Sequence, residues 1–334
     1  MFRLPQAMAI ALSCTTLIAC GGSSSGSLGD GAEVGGVLPP TAGTGNLTLA
    51  LTDGPMSTVE QLVVHIESLG LRHSDGRVVR LEPINGPVDV DLAALRDGRL
   101  HDLLNSAEIP VGQYTGISIG IDPERSHADF SDGSRRRMQF AFSEGLNVER
   151  QFTIEAGRHA EFVIDVDLGQ SLHRHEGGMG GGGMGGGMND YYEFHSVTRM
   201  IDADVAGGLV GAIDSSLVDI NHPECDSAPG GNWAYLFPGS ATEPDDTAQD
   251  EIDNRPGPIV TDRVDLHPGT GEYRYHFAFL EPGSYRVAFT CAGEWDEAGD
   301  DDYPADPDAR FGFQAFSAPV EVIAGQVVSL DVGP

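Results

Sequence analysis

A two-residue alternation of apolar and polar side chains is the strongest structural signal in this sequence. It covers residues 160–168, where the apolar set is Ala160, Phe162, Ile164, Val166 and Leu168. Successive side chains of a β-strand point to opposite faces, so this pattern predicts a strand with one buried face. Asp165 and Asp167 fall on the other face, where we expect them to contact solvent.

Other segments follow the same period. The leucines of 47–52 share one face, and the apolar run 62–71 is joined to 78–81 through Ser74-Asp75-Gly76, which predicts a hairpin. The one helical candidate is short, with Asp91 as the cap of Leu92 to Leu95. The chain is therefore predicted to be all-β, with two antiparallel β-sandwich domains in series.

The N-terminus reads as a secretion signal. Arg3 precedes an apolar run of about 12 residues, whereas a membrane-spanning helix needs roughly 20. Leu17-Ile18-Ala19-Cys20 resembles the lipobox of bacterial lipoproteins, which implies a signal peptide over 1–19 and acylation of Cys20, with palmitate among the attached chains. Gly21 after the cysteine implies sorting to the outer membrane, either periplasmic or surface-exposed. The alternative is a plain secretory signal.

Residues 20–45 are rich in glycine and serine and contain almost no large apolar side chains. Such a segment cannot bury enough surface to fold. It is predicted to be a tether with a reach of roughly 25–30 Å, which would hold the folded part clear of the membrane to which the lipid attaches.

Four ordered motifs lie between 46 and 206. They are Leu51-Thr52-Asp53-Gly54-Pro55, Val88-Asp89-Val90-Asp91-Leu92, Ile109-Pro110-Val111-Gly112-Gln113-Tyr114 and Ile154-Glu155-Ala156-Gly157. In this order they resemble the domain of unknown function 4382 (DUF4382), a family found in bacterial lipoproteins. The resemblance implies a β-sandwich and no catalytic residues.

Residues 207–334 repeat two of these motifs. Glu281-Pro282-Gly283-Ser284-Tyr285 is similar to 110–114, and Val322-Ile323-Ala324-Gly325 is similar to 154–157. The hairpin built around Pro-Gly-x-Tyr resembles those of transthyretin-like and carboxypeptidase-regulatory sandwiches. A second sandwich domain is therefore predicted over 207–334.

The net charge limits the classes of partner that the chain can bind. Its value of −32 argues against nucleic acid. It leaves an envelope protein or a glycan as the partner to be found.

With Cys14 removed and Cys20 acylated, Cys225 and Cys291 remain for a disulfide in an oxidising compartment. The alternative, a reactive or metal-binding thiol pair, lacks C-x-x-C spacing.

A glycine-rich loop is predicted over 172–195 inside the first domain. Its candidate metal ligands are His173, His175, Met179, Met184, Met188 and His195. Imidazole and thioether suit copper, and imidazole suits zinc or nickel. The alternative is flexible filler, because the glycine spacing imposes no coordination geometry.

Two acidic loops offer oxygen ligands. The first holds Asp245, Asp246, Asp250, Glu251 and Asp253, and the second holds Asp296, Glu297, Asp300, Asp301, Asp302, Asp306 and Asp308. Calcium takes six to eight oxygen ligands, and Asp296, Asp300, Asp301, Asp302, Asp306 and Asp308 form the candidate calcium set, although the EF-hand spacing is missing. Solvated loops are the alternative.

Trp233, Tyr235 and Trp295 suit either a sugar-binding surface or core packing.

No enzyme motif is present. H-E-x-x-H, a phosphate-binding loop and a dinucleotide fingerprint are all missing from the sequence. We therefore expect no catalytic residue and a lipid-anchored binding or structural module of the cell envelope. The alternatives are a lipoprotein that handles copper, zinc, nickel or calcium, and a hydrolase whose triad the sequence does not reveal.

Overall fold

The computed structural model describes residues 43–54, 59–131, 133–141, 145–175, 191–219, 225, 231–247, 256–296, 298 and 311–334. Their regular secondary structure is almost wholly β-strand, which confirms the predicted all-β class. The predicted signal peptide and most of the predicted tether lie outside the described residues. No helix in the described part of the chain is long and apolar enough to cross a membrane.

Twelve strands form the first sandwich domain. Their bounds are β1 Thr44–Gly54, β2 Val59–His73, β3 Val78–Leu81, β4 Val88–Asp91, β5 His101–Pro110, β6 Gly112–Phe130, β7 Arg135–Phe140, β8 Leu146–Ile154, β9 His159–Asp167, β10 Leu172–His175, β11 Tyr191–Phe194 and β12 Thr198–Asp202. Sheet I has the order β12-β9-β1-β5, and sheet II has the order β10-β11-β7-β6-β2-β3, with β4 on β2 and β8 on β6.

The core of this domain lies between sheets I and II. Leu47, Leu49 and Leu51 of β1 are at most 1% exposed, as their alternation predicts, and they belong to the same apolar cluster as Phe162, Ile164 and Val166 of β9. The predicted hairpin is present as β2 paired with β3.

The helical segments are single turns. A 3₁₀ helix covers Leu92–Ala94, and α1 covers Leu168–Ser171. Asp91 does not cap the 3₁₀ turn with its side chain. Its carboxylate instead accepts hydrogen bonds from Gln61 and from the backbone of Leu62, because the adjacent strand β2 presents those donors.

Nine strands form the second sandwich domain, with a further 3₁₀ turn at Gly293–Trp295. The bounds are β13 Gly207–Ile213, β14 Trp233–Pro238, β15 Val260–Arg263, β16 Asp265–Leu266, β17 Tyr273–Leu280, β18 Gly283–Thr290, β19 Ala315–Phe316, β20 Val320–Val322 and β21 Val327–Ser329. Sheet III has the order β16-β17-β13-β21, and sheet IV has the order β15-β14-β18-β19, with β20 on β18.

The two domains share one strand plan. In the first, β1 pairs antiparallel with β5 and parallel with β9, while β6 pairs with β2 and β8. In the second, β13 pairs antiparallel with β17 and parallel with β21, while β18 pairs with β14 and β20. Six strands of each domain are thus equivalent, and they include the repeated sequence motifs.

The repeated motifs also make the same contacts. Tyr114 donates a hydrogen bond from its hydroxyl to the carbonyl of Pro110 at 2.7 Å, and Tyr285 donates to the carbonyl of Glu281 at 2.8 Å. Gly157 and Gly325 both have φ of 67°, a conformation in which a side chain would be strained. The motifs therefore close equivalent turns. The likeness to transthyretin-like sandwiches in particular stays a prediction.

The outer face of sheet I is covered by the second domain, which corrects the prediction for Asp165 and Asp167. Both aspartates are buried, at 5% and 4% exposure, rather than solvated. The alternation put them on the correct face. That face is shielded from solvent because the second domain packs against it. The alternation within one strand contains no information about a domain that packs on it from elsewhere in the chain.

Buried polar contacts join the domains. Arg199 of β12 donates to the Asp165 carboxylate, with an Nε–Oδ2 distance of 2.8 Å, and donates to the carbonyls of Ala278 and Phe279 in the second domain. Asp167 accepts a hydrogen bond from the backbone N–H of Thr261 at 2.8 Å. We call these contacts the domain junction. Because buried charges need paired partners, the junction fixes the position of one domain against the other.

The predicted disulfide is present between Cys225 and Cys291, whose Cα atoms are 5.6 Å apart. Cys291 lies in the apolar core of the second domain, and Cys225 packs against it. The bond ties the start of the loop after β18 to the segment between β13 and β14.

Reduction of this disulfide should destabilise the second domain. The bond spans 66 residues, for which the chain-entropy model gives a stabilisation of about 4 kcal/mol. Urea unfolding with and without a reductant, followed by Trp233 and Trp295 fluorescence, measures the loss. Equal midpoints in both conditions would contradict the expectation. The double Cys225→Ala/Cys291→Ala variant, insensitive to the reductant, is the control.

Replacement of Arg199 by methionine should weaken the junction. The change leaves the buried Asp165 carboxylate without its cation, which typically costs about 3–5 kcal/mol. We expect one unfolding transition to separate into two in calorimetry. Arg274→Met removes an exposed pair with Glu272 and is the control, with an expected loss below about 1 kcal/mol. A single transition unchanged in both variants would show that Arg199 does not couple the domains.

Candidate functional site

The sequence directs attention to Cys20 and to three loops, and the structure describes these unevenly. Cys20, the lipid-attachment candidate, lies outside the described residues. The same holds for Met179, Met184 and Met188. It holds as well for five members of the calcium set, Asp300, Asp301, Asp302, Asp306 and Asp308. The described candidates are His173, His175, His195 and Asp296.

The histidines of the first loop lie on one hairpin. Strands β10 and β11 are antiparallel, with His173 opposite Glu193 and His175 opposite Tyr191. The N–H of His195 donates to the carbonyl of Ser171 at 2.7 Å and so extends the ladder by one residue pair. Residues two apart share a face of a strand, so His195 and Glu193 lie on the face of His173. We call His173, Glu193 and His195 the histidine hairpin.

The two described imidazoles of the histidine hairpin are in contact. The ring centroids of His173 and His195 are 4.1 Å apart, and the ring planes are inclined by 31°. Nε2 of His195 lies 3.2 Å from a carboxylate oxygen of Glu193. The side chain of His195 is 38% exposed, so the pair is open to solvent on one side.

The two acidic loops meet at Asp296. Its Oδ2 accepts a hydrogen bond from the Tyr235 hydroxyl at 2.6 Å, and its Oδ1 accepts one from the Thr247 hydroxyl at 2.8 Å. Asp246, beside Thr247, is only 2% exposed. The sequence predicts neither contact, because Tyr235 and Asp296 are far apart along the chain.

This environment changes the acidity of both groups. Burial, with a smaller effect of the nearby Asp246 carboxylate, raises the pKa of Asp296 to about 7, although the hydrogen bonds from Tyr235 and Thr247 act in the opposite direction. Burial and the Asp296 charge raise the pKa of Tyr235 well above its usual range. The described part of the acidic loops is therefore a buried hydrogen-bonded cluster. Whether calcium binds the rest of the set stays a prediction.

The aromatic residues near these loops are core residues. Trp233 and Tyr235 are 4% and 2% exposed and share an apolar cluster with Phe237 and Phe311, and Trp295 packs against that cluster. Of the two interpretations open at the sequence level, core packing is the one that applies to Trp233 and Tyr235. A sugar needs an exposed aromatic face for stacking.

A cleft of about 430 Å³ lies against sheet III and is lined by both His267 and Asp262. Nδ1 of His267 accepts hydrogen bonds from the N–H groups of Gly269 and Thr270, and Asp262 accepts from the N–H of His276. These polar atoms hold turns and strands together. Burial raises the pKa of Asp262 well above its usual range, while the hydrogen bond from the His276 N–H acts in the opposite direction.

No group of three or more histidine, cysteine, aspartate or glutamate side chains within the described ranges is arranged to hold a metal ion. A smaller cavity of about 20 Å³ at the domain junction has room for one water molecule and is lined by Asp53, Asp165, Arg199 and Asp262 among others. The sequence analysis did not identify the residues of the domain junction. The pattern that could have indicated them is two aspartates on one strand followed by an arginine on a strand that pairs with it.

The raised pKa of Asp296 makes stability fall as the pH rises. Between the unfolded value of 3.8 and about 7, the folded chain holds a proton that the unfolded chain has lost, so the free energy of unfolding decreases by up to about 1.4 kcal/mol per pH unit. Asp296→Asn should remove this dependence and gain stability over the native chain from pH 5 to 8. Urea unfolding across that range tests it. The exposed Asp204→Asn variant is the control, and parallel curves for Asp296→Asn and the native chain would refute the assignment.

Comparisons with known proteins give a limited context. No curated protein matches the sequence. Among solved structures, the chain is similar to the TIE protein of Bacillus anthracis, at 10% identity and a TM-score of 0.18 over 86% of this chain. A leucine-rich repeat protein of Bacteroides thetaiotaomicron has 12% identity and a TM-score of 0.17 over 88% of this chain. The chain spans only 34% and 26% of these two proteins.

A third structure is matched over nearly its full length. The fimbrial anchor protein Mfa2 of Porphyromonas gingivalis has 9% identity and a TM-score of 0.17, with 84% of this chain and 99% of that one covered. Likeness at such TM-scores does not extend to function. The family comparison is more specific, because residues 44–182 match the model of the domain of unknown function DUF4382, which confirms the resemblance for this part of the chain.

Proposed function

We propose that this protein is a lipid-anchored, non-enzymatic binding or structural module of the bacterial cell envelope, held at the outer membrane through Cys20. The described residues supply two sandwich domains of one strand plan, and the sequence before them supplies a signal peptide, a lipobox and a tether. In such modules the residues that bind a partner lie on the end loops and on segments added to the shared strands, because the shared strands themselves form the core.

The domain junction is the observation that carries this proposal. Asp165 and Asp167 are buried between the domains, and Arg199 reaches two carbonyls of the second domain. A second link joins Arg150 of β8 to Glu281 and to the carbonyl of Met200. These contacts join the two domains, which belong to one compact unit, and a compact part suits the presentation of a surface at a distance from a membrane.

The anchor follows from the chemistry of acyl chains. Each buried methylene group contributes about 0.8 kcal/mol, so several chains on one cysteine hold a protein at a bilayer where a single chain does not. The tether of 20–45 then sets the distance between the bilayer and the first strand. A partner of the acidic surface would be an envelope protein or a glycan rather than nucleic acid.

Cys20→Ala should abolish lipid attachment. Cells that express the full chain are labelled with an alkyne fatty acid, and the protein is isolated, coupled to a dye and followed through membrane fractionation. The native chain should carry the label and sediment with the outer membrane. The variant should lose the label, because no thiol remains at the lipobox.

Cys14→Ala is the matched control, since it removes the other cysteine of the signal region and should keep the label. Labelling retained in Cys20→Ala would refute the lipid anchor. Labelled native protein found only in the inner membrane would refute the outer-membrane location and leave the anchor intact.

A further inference from the structure

We propose that the histidine hairpin binds a divalent late transition metal ion through the imidazoles of His173 and His195, with Glu193 as the residue that orients His195. This goes beyond the proposed envelope role and does not depend on the lipid anchor. Of the six candidate ligands of the sequence, it rests on His173 and His195, whose side chains the structure describes.

The strand register creates the pair. His173 lies opposite Glu193, and His195, two residues after Glu193 and directly beyond the end of β11, continues the pairing on the same face. The two rings are therefore diagonal neighbours across an antiparallel hairpin, a spacing that lets side chains interact. The observed ring separation of 4.1 Å is within the reach of one ion that both imidazoles contact.

Glu193 prepares His195 for this role. Its carboxylate lies 3.2 Å from Nε2 of His195, a position that favours the tautomer with the proton on Nε2 and the lone pair on Nδ1. Histidines that bind metals usually donate their second ring N–H to a carboxylate or a carbonyl, which fixes the ring and increases its basicity.

The ligand set selects the class of ion. Neutral imidazoles favour Cu²⁺, Ni²⁺ and Zn²⁺, and Cu²⁺ binds most tightly to a given nitrogen site. In the described residues no third histidine, cysteine or carboxylate completes a closed site.

The test is Cu²⁺ binding by the full mature chain in detergent, prepared without a histidine tag. Titration calorimetry should give one tight equivalent for the native chain, and electron paramagnetic resonance should show splitting from two nitrogen nuclei. His173→Ala and His195→Ala should each lower the affinity at least tenfold and reduce the splitting to that of one nitrogen. Glu193→Gln should lower the affinity by about 10- to 100-fold and keep both nitrogens.

His159→Ala is the matched control. His159 lies on strand β9, with a carboxylate oxygen of Glu161 4.0 Å from its Nε2, but among the described residues no second histidine ring is packed against it. This variant should bind Cu²⁺ as the native chain does. Native affinity and two-nitrogen splitting in the double variant His173→Ala/His195→Ala would overturn the proposal. The conservative His195→Asn variant, checked by circular dichroism, separates loss of a ligand from loss of the hairpin.

Discussion

The parallel pairing of β1 with β9, and of β13 with β21, is the constraint on which each sandwich depends. A parallel neighbour cannot be reached by a tight hairpin, so the chain has to cross from one sheet to the other before it returns. In both domains the crossing is closed by a turn with a glycine at φ 67°, and the N–H of that glycine donates to the residue that leads into the first strand. A second turn leads into β6 in the first domain and into β18 in the second. It is held by a tyrosine hydroxyl that donates a hydrogen bond to the carbonyl four residues earlier in the chain.

A second constraint acts between the domains. A buried carboxylate is costly unless it is paired, and the outer face of sheet I contains two of them. Asp165 is paired with Arg199 inside its own sheet, and Asp167 is satisfied by Thr261 from the second domain and by Gln170 of α1. The pairing in sheet I must therefore form for the junction to form. Burial raises the pKa of Asp167, while the hydrogen bonds from Gln170 and Thr261 act in the opposite direction.

Sequence reasoning reached the parts of the fold that depend on local patterns. Alternation located β1, β2 and β9, turn residues located the β2–β3 hairpin, and the repeated motifs located equivalent turns in both domains. It failed where the deciding partner is distant in sequence. The strand pattern predicts that Asp165 contacts solvent, because the domain that covers it begins some 40 residues later. The sequence places Asp296 in an acidic loop, because its partner Tyr235 lies on another strand. The disulfide was found by elimination, since only two cysteines remain in the folded part.

The strands that are not shared between the domains show where a specific role resides. Removal of the six equivalent strands from the first domain leaves β3, β4, β7 and β10 to β12. Of these, β12 supplies Arg199 and makes the junction, whereas β10 and β11 form a hairpin at the edge of sheet II that the shared strand plan does not need. An addition at an edge is free to carry polar side chains, because its outer face has no core to bury. The paired imidazoles and their carboxylate lie on that addition, so the scaffold and the proposed metal site are separable, and loss of the histidines should leave the sandwich intact.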